Sequence, residues 1–209
     1  MPSAGAVTAR GSATRQRLLD AAEQVFARLG YHEASISRIT EAAGVGQGTF
    51  YLYFVSKLAI FEELVEDLNR RVRRAMSEGM SATTSRLDAE RAGFRAFFEF
   101  TATHPALYRV VREAELVSPR ALRLHYTRIV DGYIEGLSAA RDRGEIGDID
   151  PTVVAWALMG IGEMIGMRWV LWGDEGASVP DEVFDDMMLF IRRGLAAPGA
   201  PRTEGHGTT

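Results

Sequence analysis

The stretch GVGQGTFYLYF, residues 44–54, packs three glycines into five positions and then four aromatics into the last five. Two readings compete for it: a phosphate-cradling loop of a nucleotide-dependent enzyme, or a tight turn feeding a helix that reads DNA. A dinucleotide fingerprint needs G-x-G-x-x-G between a strand and a helix. Here the glycines stand at 44, 46 and 48, Thr49 follows, and the preceding SISRITEAAG has helical period. Thr49 and Phe50 also stand where a P-loop would place its lysine. The nucleotide loop is set aside.

The turn reading explains each glycine separately. Gly44 ends a helix where a left-handed residue is wanted, which glycine adopts without strain. Val45 can plug the angle between two helices, and Gly46 is an acceptable, weak N-cap for the next. Gly48, with no side chain, would let backbone come close to a surface. Phe50 and Phe54, four apart, share the inward face of a short helix over 47–54 and fasten it to Val45, Ile39 and Phe26. This is the pattern of a helix-turn-helix, whose second helix enters the major groove. Gln47 has the geometry to bond adenine, and Thr49 and Leu52 can meet a thymine methyl. Tyr51, Tyr53 and Lys57 suit phosphate contacts, with plain packing an equal alternative for the two tyrosines.

The surrounding chain is helical throughout, with no convincing strand alternation. Leu18, Ala22, Val25, Phe26 and Leu29 form one stripe, and Ser56 is a good N-cap for a long helix carrying Phe61, Leu64, Val65, Leu68 and Val72. Further starts are marked at Ser118-Pro119, Asp150-Pro151 and Pro180-Asp181, and His104-Pro105 breaks a run. About nine helices are expected, and the fold class is all-α. The 209 residues contain no cysteine and carry a net charge of −4. That charge is uneven: residues 1–57 sum to +2 and the remainder to −6. The asymmetry permits a DNA-facing module on an acidic body. The N-terminus lacks the apolar core of a signal peptide, so a cytoplasmic location is expected.

The segment EASISRITEAAGVGQGTFYLYFVSKLAIFEELV resembles the DNA-binding signature of TetR/AcrR-family transcriptional regulators. The matching parts are Ile-x-x-Ile-x-x-x-Ala-Gly-Val, then Gly-Thr-x-Tyr-x-Tyr-Phe, then Ser-Lys before a long helix. The signature covers roughly residues 14–65. Gly46, Gln47, Leu52 and Val55 depart from the residues most frequent at those places. The resemblance implies that Ser37 and Arg38 lie near DNA, that Gln47, Gly48, Thr49, Tyr51, Leu52 and Tyr53 form the recognition surface, and that Lys57 holds a phosphate. It also implies a helix-turn-helix domain (13–57) and a ligand-binding and dimerisation domain (58–197); on composition, residues 1–12 read as a disordered arm and 198–209 as a disordered tail with too little apolar content to pack. The expected function is that of a ligand-responsive regulator, a repressor released from a pseudo-palindromic operator.

Residues 153–172, VVAWALMGIGEMIGMRWVLW, are apolar apart from Glu163 and Arg168. By length they could cross a bilayer, but a carboxylate at mid-span costs roughly 2.5–3.5 kcal/mol. A helix apolar on all sides in a soluble protein is buried on all sides. Residues 151–171 and 181–195 are therefore assigned to a homodimer interface, with Trp156, Gly160, Gly162, Gly166, Phe184, Met187, Met188 and Ile191 at the contact. No membrane partner is expected.

Aromatic and sulfur-bearing side chains suggest an adaptable apolar effector pocket. Its expected lining is Phe94, Phe97, Phe98, Tyr108, Arg112, His125, Tyr126, Tyr133, Met159, Glu163 and Met167; for each of these, ordinary core packing is the competing reading. The effector would be hydrophobic or amphipathic, a lipid-like or acyl compound. The histidines show no metal-ligand spacing, and there is no thiol or nucleophile elbow. No catalytic activity, metal or cofactor is expected. The anticipated partners are double-stranded operator DNA, a small-molecule effector and a second copy of the chain.

Overall fold

The computed structural model describes residues 9–174 and 177–197. Within them the chain forms nine α-helices and a π-helical turn. The helices are α1 (Ala9–Glu33), α2 (Ile36–Ala42), α3 (Gln47–Tyr51), α4 (Lys57–Met80), α5 (Arg86–Thr103), α6 (Ala106–Val117), α7 (Pro119–Asp142), α8 (Pro151–Gly166) and α9 (Asp181–Leu195). The π turn, Met167–Leu171, prolongs α8. The all-α expectation holds. Residues 9–12, expected as part of a disordered arm, belong to α1. The first eight residues and the expected tail, 198–209, lie outside the described residues.

Local chemistry sets the boundaries. Gly30 breaks the helical course of α1 with φ 74° and ψ 168°, a backbone region open to glycine. Gly44, at φ 64°, turns the chain after α2. The Ser56 hydroxyl accepts from the Ala59 amide at 3.0 Å and opens α4. Ser118 caps α7 ahead of its proline, and the Asp150 carboxylate accepts from the Thr152 amide at 2.7 Å to open α8. Each is a start or stop signal visible in the sequence.

Two apolar clusters hold the helices together. The first joins Leu18, Phe26, Ile39, Phe50 and Phe54 to Phe61, Leu64 and Leu68 of α4 and to Val110 and Ala114 of α6. The second unites Phe94 and Phe98 of α5 with Leu137, Val154, Leu158, Phe184 and Ile191 of α7, α8 and α9. Between the clusters, α4 is the common element: its start packs with the N-terminal helices and its end runs beside α5 and α7.

The stretch Pro151–Leu171 is long and apolar enough to cross a membrane by length and composition, with mean hydropathy 1.3. One face of it is core: Val154, Ala155, Leu158, Gly162 and Gly166 are buried. The opposite face exposes Val153, Trp156 and Met164, and on α9 Phe190 is exposed.

Candidate nucleic-acid interface and effector region

Helices α2 and α3 meet across Gly44 as the helix-turn-helix reading requires. Val45 donates its amide to the Thr40 carbonyl at 3.0 Å, and the Gly46 carbonyl receives the Thr49 amide at 2.9 Å. Phe50 and Phe54 are buried, their rings 5.6 Å apart, and Phe26 and Ile39 share the same apolar cluster. These anchors fix the rotation of α3. Helix α3 ends at Tyr51, three residues short of the expected 54, and Leu52 and Tyr53 close it as a turn.

The anchoring leaves one face to solvent. Gln47, Gly48, Tyr51 and Leu52 are exposed, with Leu52 at 80%, and Thr49 is half-buried. Ser37 and Arg38 on α2 are exposed beside them. A Cβ on Gly48 would meet nothing within 4 Å, so no neighbour within the chain requires glycine there. Tyr51 points outward, its ring edge-on to Phe50, whereas Tyr53 is half-buried against the first cluster. Val55, 84% exposed, extends the apolar rim and was not expected in the site. Its only sequence signal is an apolar side chain next to an N-cap.

Lys57 departs from its expected role. Its ammonium donates to the carbonyls of Tyr31 at 2.7 Å and Ala34 at 2.8 Å, with the His32 carbonyl at 3.4 Å. It also lies 4.3 Å from the centre of the Tyr31 ring. The charge serves the carbonyl-rich end of α1, where a cation is favoured. Glu113 of α6 completes that junction by accepting the Tyr31 amide at 2.8 Å. Three acceptors for three N–H bonds leave none directed at a phosphate.

The expected effector residues fall into separate groups. Phe94, Phe97, Tyr133 and Met159 line one small apolar cavity with Met76 and Leu158; its volume is about 30 Å³. Tyr126 donates to Glu163 at 2.6 Å, which gives the carboxylate in α8 its partner from α7. Burial, and then that carboxylate, push the Tyr126 hydroxyl well above the usual phenol range. Arg112 lies against the Met167 thioether. Three others are engaged in contacts within the chain. Phe98 is core, edge-on to Phe184, and Tyr108 is buried edge-on to Phe97 and against Gly166. His125 is buried with its Nδ1 accepting from the Asn69 amide at 3.2 Å, which ties α7 to α4. Burial pulls the His125 pKa down to about 4.

The expected dimer contact also needs correction. Gly162 faces inward, where a Cβ would come within 3.0 Å of Phe94, and at Gly166 a Cβ would run into the Tyr108 hydroxyl. Phe184, Met187, Met188 and Ile191 are buried in the second cluster of the same chain. Only Trp156 and Gly160 of the expected set lie outward. Helical period cannot set the rotation of a helix apolar on all sides; packing against α5 and α7 does so here.

A short helix anchored by two buried phenylalanines, with its polar tip exposed after a left-handed glycine, defines a helix-turn-helix DNA-binding protein. Residues 18–64 match the model of the tetR family of bacterial regulatory proteins. The DNA-binding region of the chain belongs to that family. The uncharacterized HTH-type transcriptional regulator YdgC of Bacillus subtilis is 49% identical over 65 residues, which cover 31% of this chain and 33% of YdgC. The fatty acid metabolism regulator protein of Bacillus subtilis is 29% identical over 161 residues, 68% of this chain and 82% of that protein. Among solved structures, the transcriptional regulator FadR from Bacillus subtilis in complex with stearoyl-CoA superposes with a TM-score of 0.73 at 22% identity, covering 86% of this chain and 98% of that one. That likeness establishes a shared fold.

Proposed function

We propose that the chain is a cytoplasmic, ligand-responsive repressor that binds a pseudo-palindromic operator as a homodimer. Residues 13–57 act as the reading head and 58–197 as the effector and dimerisation body. The carrying observation is the exposed Gln47–Thr49 tip held on the buried Phe50 and Phe54. Gln47 reads a base edge, Thr49 and Leu52 meet thymine methyls, and Tyr51, Ser37 and Arg38 steady the backbone. Two copies meet through the outward face of α8 and α9 at Val153, Trp156, Gly160, Met164 and Phe190. Such exposed apolar stripes mark interaction surfaces. Two-fold pairing sets two α3 helices on half-sites about one helical turn apart.

The effector is a hydrophobic or amphipathic acyl compound held among α5, α7 and α8. The aromatic and methionine lining of the small cavity supports this, as does the stearoyl-CoA bound by the FadR structure. Because α4 reaches from the Lys57 junction to that cavity, an occupant that displaces its end also moves the head.

Selection of duplexes from a random library, followed by titration of the chosen site, tests the reading. Affinity should fall steeply with salt, and Gln47→Ala should change the preferred bases while Tyr51→Ala weakens all duplexes alike. An unchanged preference in Gln47→Ala, with the fold intact, removes Gln47 from base reading. No enrichment of any duplex refutes the repressor.

A further inference from the structure

A cleft of about 630 Å³ opens between α4 and α7. That is within the range of roughly 300–1,000 Å³ typical of small-molecule sites. From α4 it is faced by Arg70, Arg73 and Arg74, and from α7 by Arg128 and Gly132. Spacings of three and four residues bring each set onto one helix face. The cleft shares three residues, Met76, Ile129 and Tyr133, with the small apolar cavity behind it. A cationic mouth thus backs directly onto an aromatic and methionine-lined interior.

The arginines are available to a ligand. Arg70 pairs with Asp67, Arg74 with Glu78 at 2.7 Å, and Arg128 with Glu66 at 3.2 Å. The Arg74 and Arg128 pairs lie at the surface, where such pairs contribute about 0–1 kcal/mol, so an incoming anion can displace them; Asp67 is buried and keeps its pair, but the Arg70 side chain is itself exposed and has further N–H donors to offer. Arg73 donates only to the Arg128 carbonyl at 3.3 Å among the described contacts. The one acid on the cleft wall is Asp131. Gly132 sits in the middle of α7, where glycine costs the helix about 1 kcal/mol relative to alanine. A Cβ there would meet nothing within 4 Å, so the missing side chain leaves the cleft floor open.

We propose that this cleft binds the phosphorylated headgroup of a single-chain acyl amphiphile whose tail enters the apolar cavity. The proposal rests on the acyl-effector reading and adds to it where the anion is held and by which side chains. Guanidinium forks match phosphate oxygens in geometry and charge, and four of them suit a headgroup bearing several phosphates or a phosphate and further anionic oxygens. The tail needs far more than the about 30 Å³ now present, so its entry requires the helices around the cavity to part as well as the flexible Met76 and Met159 side chains to repack. Acyl-CoA thioesters and lysophosphatidic acids share this chemistry and are separated by the test.

Binding of stearoyl-CoA, 1-stearoyl lysophosphatidic acid, stearate and free CoA to the full chain is measured by titration calorimetry at two salt concentrations. At least one of the two phosphorylated amphiphiles should bind ten-fold or more tightly than stearate, and more weakly as salt rises. The tighter of the two names the headgroup. Arg73→Glu with Arg128→Glu should lower its affinity at least ten-fold and leave stearate binding unchanged. Gly132→Phe, which meets no neighbour at its Cβ, should block the headgroup without unfolding α7. Phosphorylated amphiphiles that bind the wild type but are indifferent to both variants overturn the headgroup site and leave the acyl-effector reading standing. Equal binding of stearate and the phosphorylated amphiphiles also overturns it. Failure of all four compounds to bind the wild type overturns both.

Discussion

Replacing Lys57 with methionine separates two roles that the sequence alone cannot distinguish. In the structure its ammonium donates to the Tyr31 and Ala34 carbonyls at 2.7 and 2.8 Å and lies over the Tyr31 ring. Methionine keeps most of the stem and removes the charge. A hydrogen bond from a charged group contributes about 1.5–3 kcal/mol, and a partly exposed cation–π contact about 0.5–1 kcal/mol. Water can reach part of the junction and repair some of that loss, so a net destabilisation of about 2 kcal/mol is expected. For a chain of this length that lowers Tm by roughly 4–8 °C. The assay is thermal unfolding without DNA, paired with duplex affinity across a salt series. A capping lysine predicts a lower Tm and an unchanged slope of log affinity against log salt for the fraction that remains folded. A phosphate-holding lysine predicts an unchanged Tm and a slope reduced by about one. The second pattern would refute the capping assignment.

Gly44→Ala forces a side chain to φ 64° and should cost about 1–2 kcal/mol, with a larger loss of duplex affinity because α3 leaves its angle to α2; circular dichroism and polarisation titration check both. His125 is held neutral, with its pKa lowered from 6.5 to about 4. Its unfolded form takes up a proton below about 6.5 and the folded form only near 4, so stability falls as pH drops through that window, by roughly 3 kcal/mol in all. Denaturant titrations at successive pH values should show that slope, flattened in His125→Gln. Trp156→Arg with Phe190→Arg should convert a dimer to monomers in sedimentation while leaving each monomer folded, since both side chains face solvent in the single chain. An intact dimer in that variant would move the interface elsewhere.

The reading head was legible because its signals are local. A left-handed glycine at 44, a serine cap at 56 and two phenylalanines four apart each constrain the backbone within one or two turns. Ser118-Pro119 and Asp150-Pro151 marked helix starts for the same reason. The pattern of apolar residues also gave an all-helical body. What lay beyond reach was anything fixed by an element distant in sequence. Lys57 could be placed at the head of α4, but its acceptors are 23–26 residues earlier in the chain. His125 read as part of the effector-pocket lining, whereas its ring is held by Asn69, 56 residues away.

The same distinction decides α8 and α9. Their sequence determined that both are helices, that α9 has one apolar face, and that α8 is apolar on nearly all sides. It could not say which glycine looks inward, because an all-apolar helix has no polar stripe to fix its rotation. Phe94 against Gly162 and Tyr108 against Gly166 fix it, turning Trp156 and Met164 outward. The arginines of α4 and α7 were likewise present in the sequence as scattered surface charge. Only the packing of those two helices side by side makes a cleft of them, since facing charges across a gap are a property of tertiary structure.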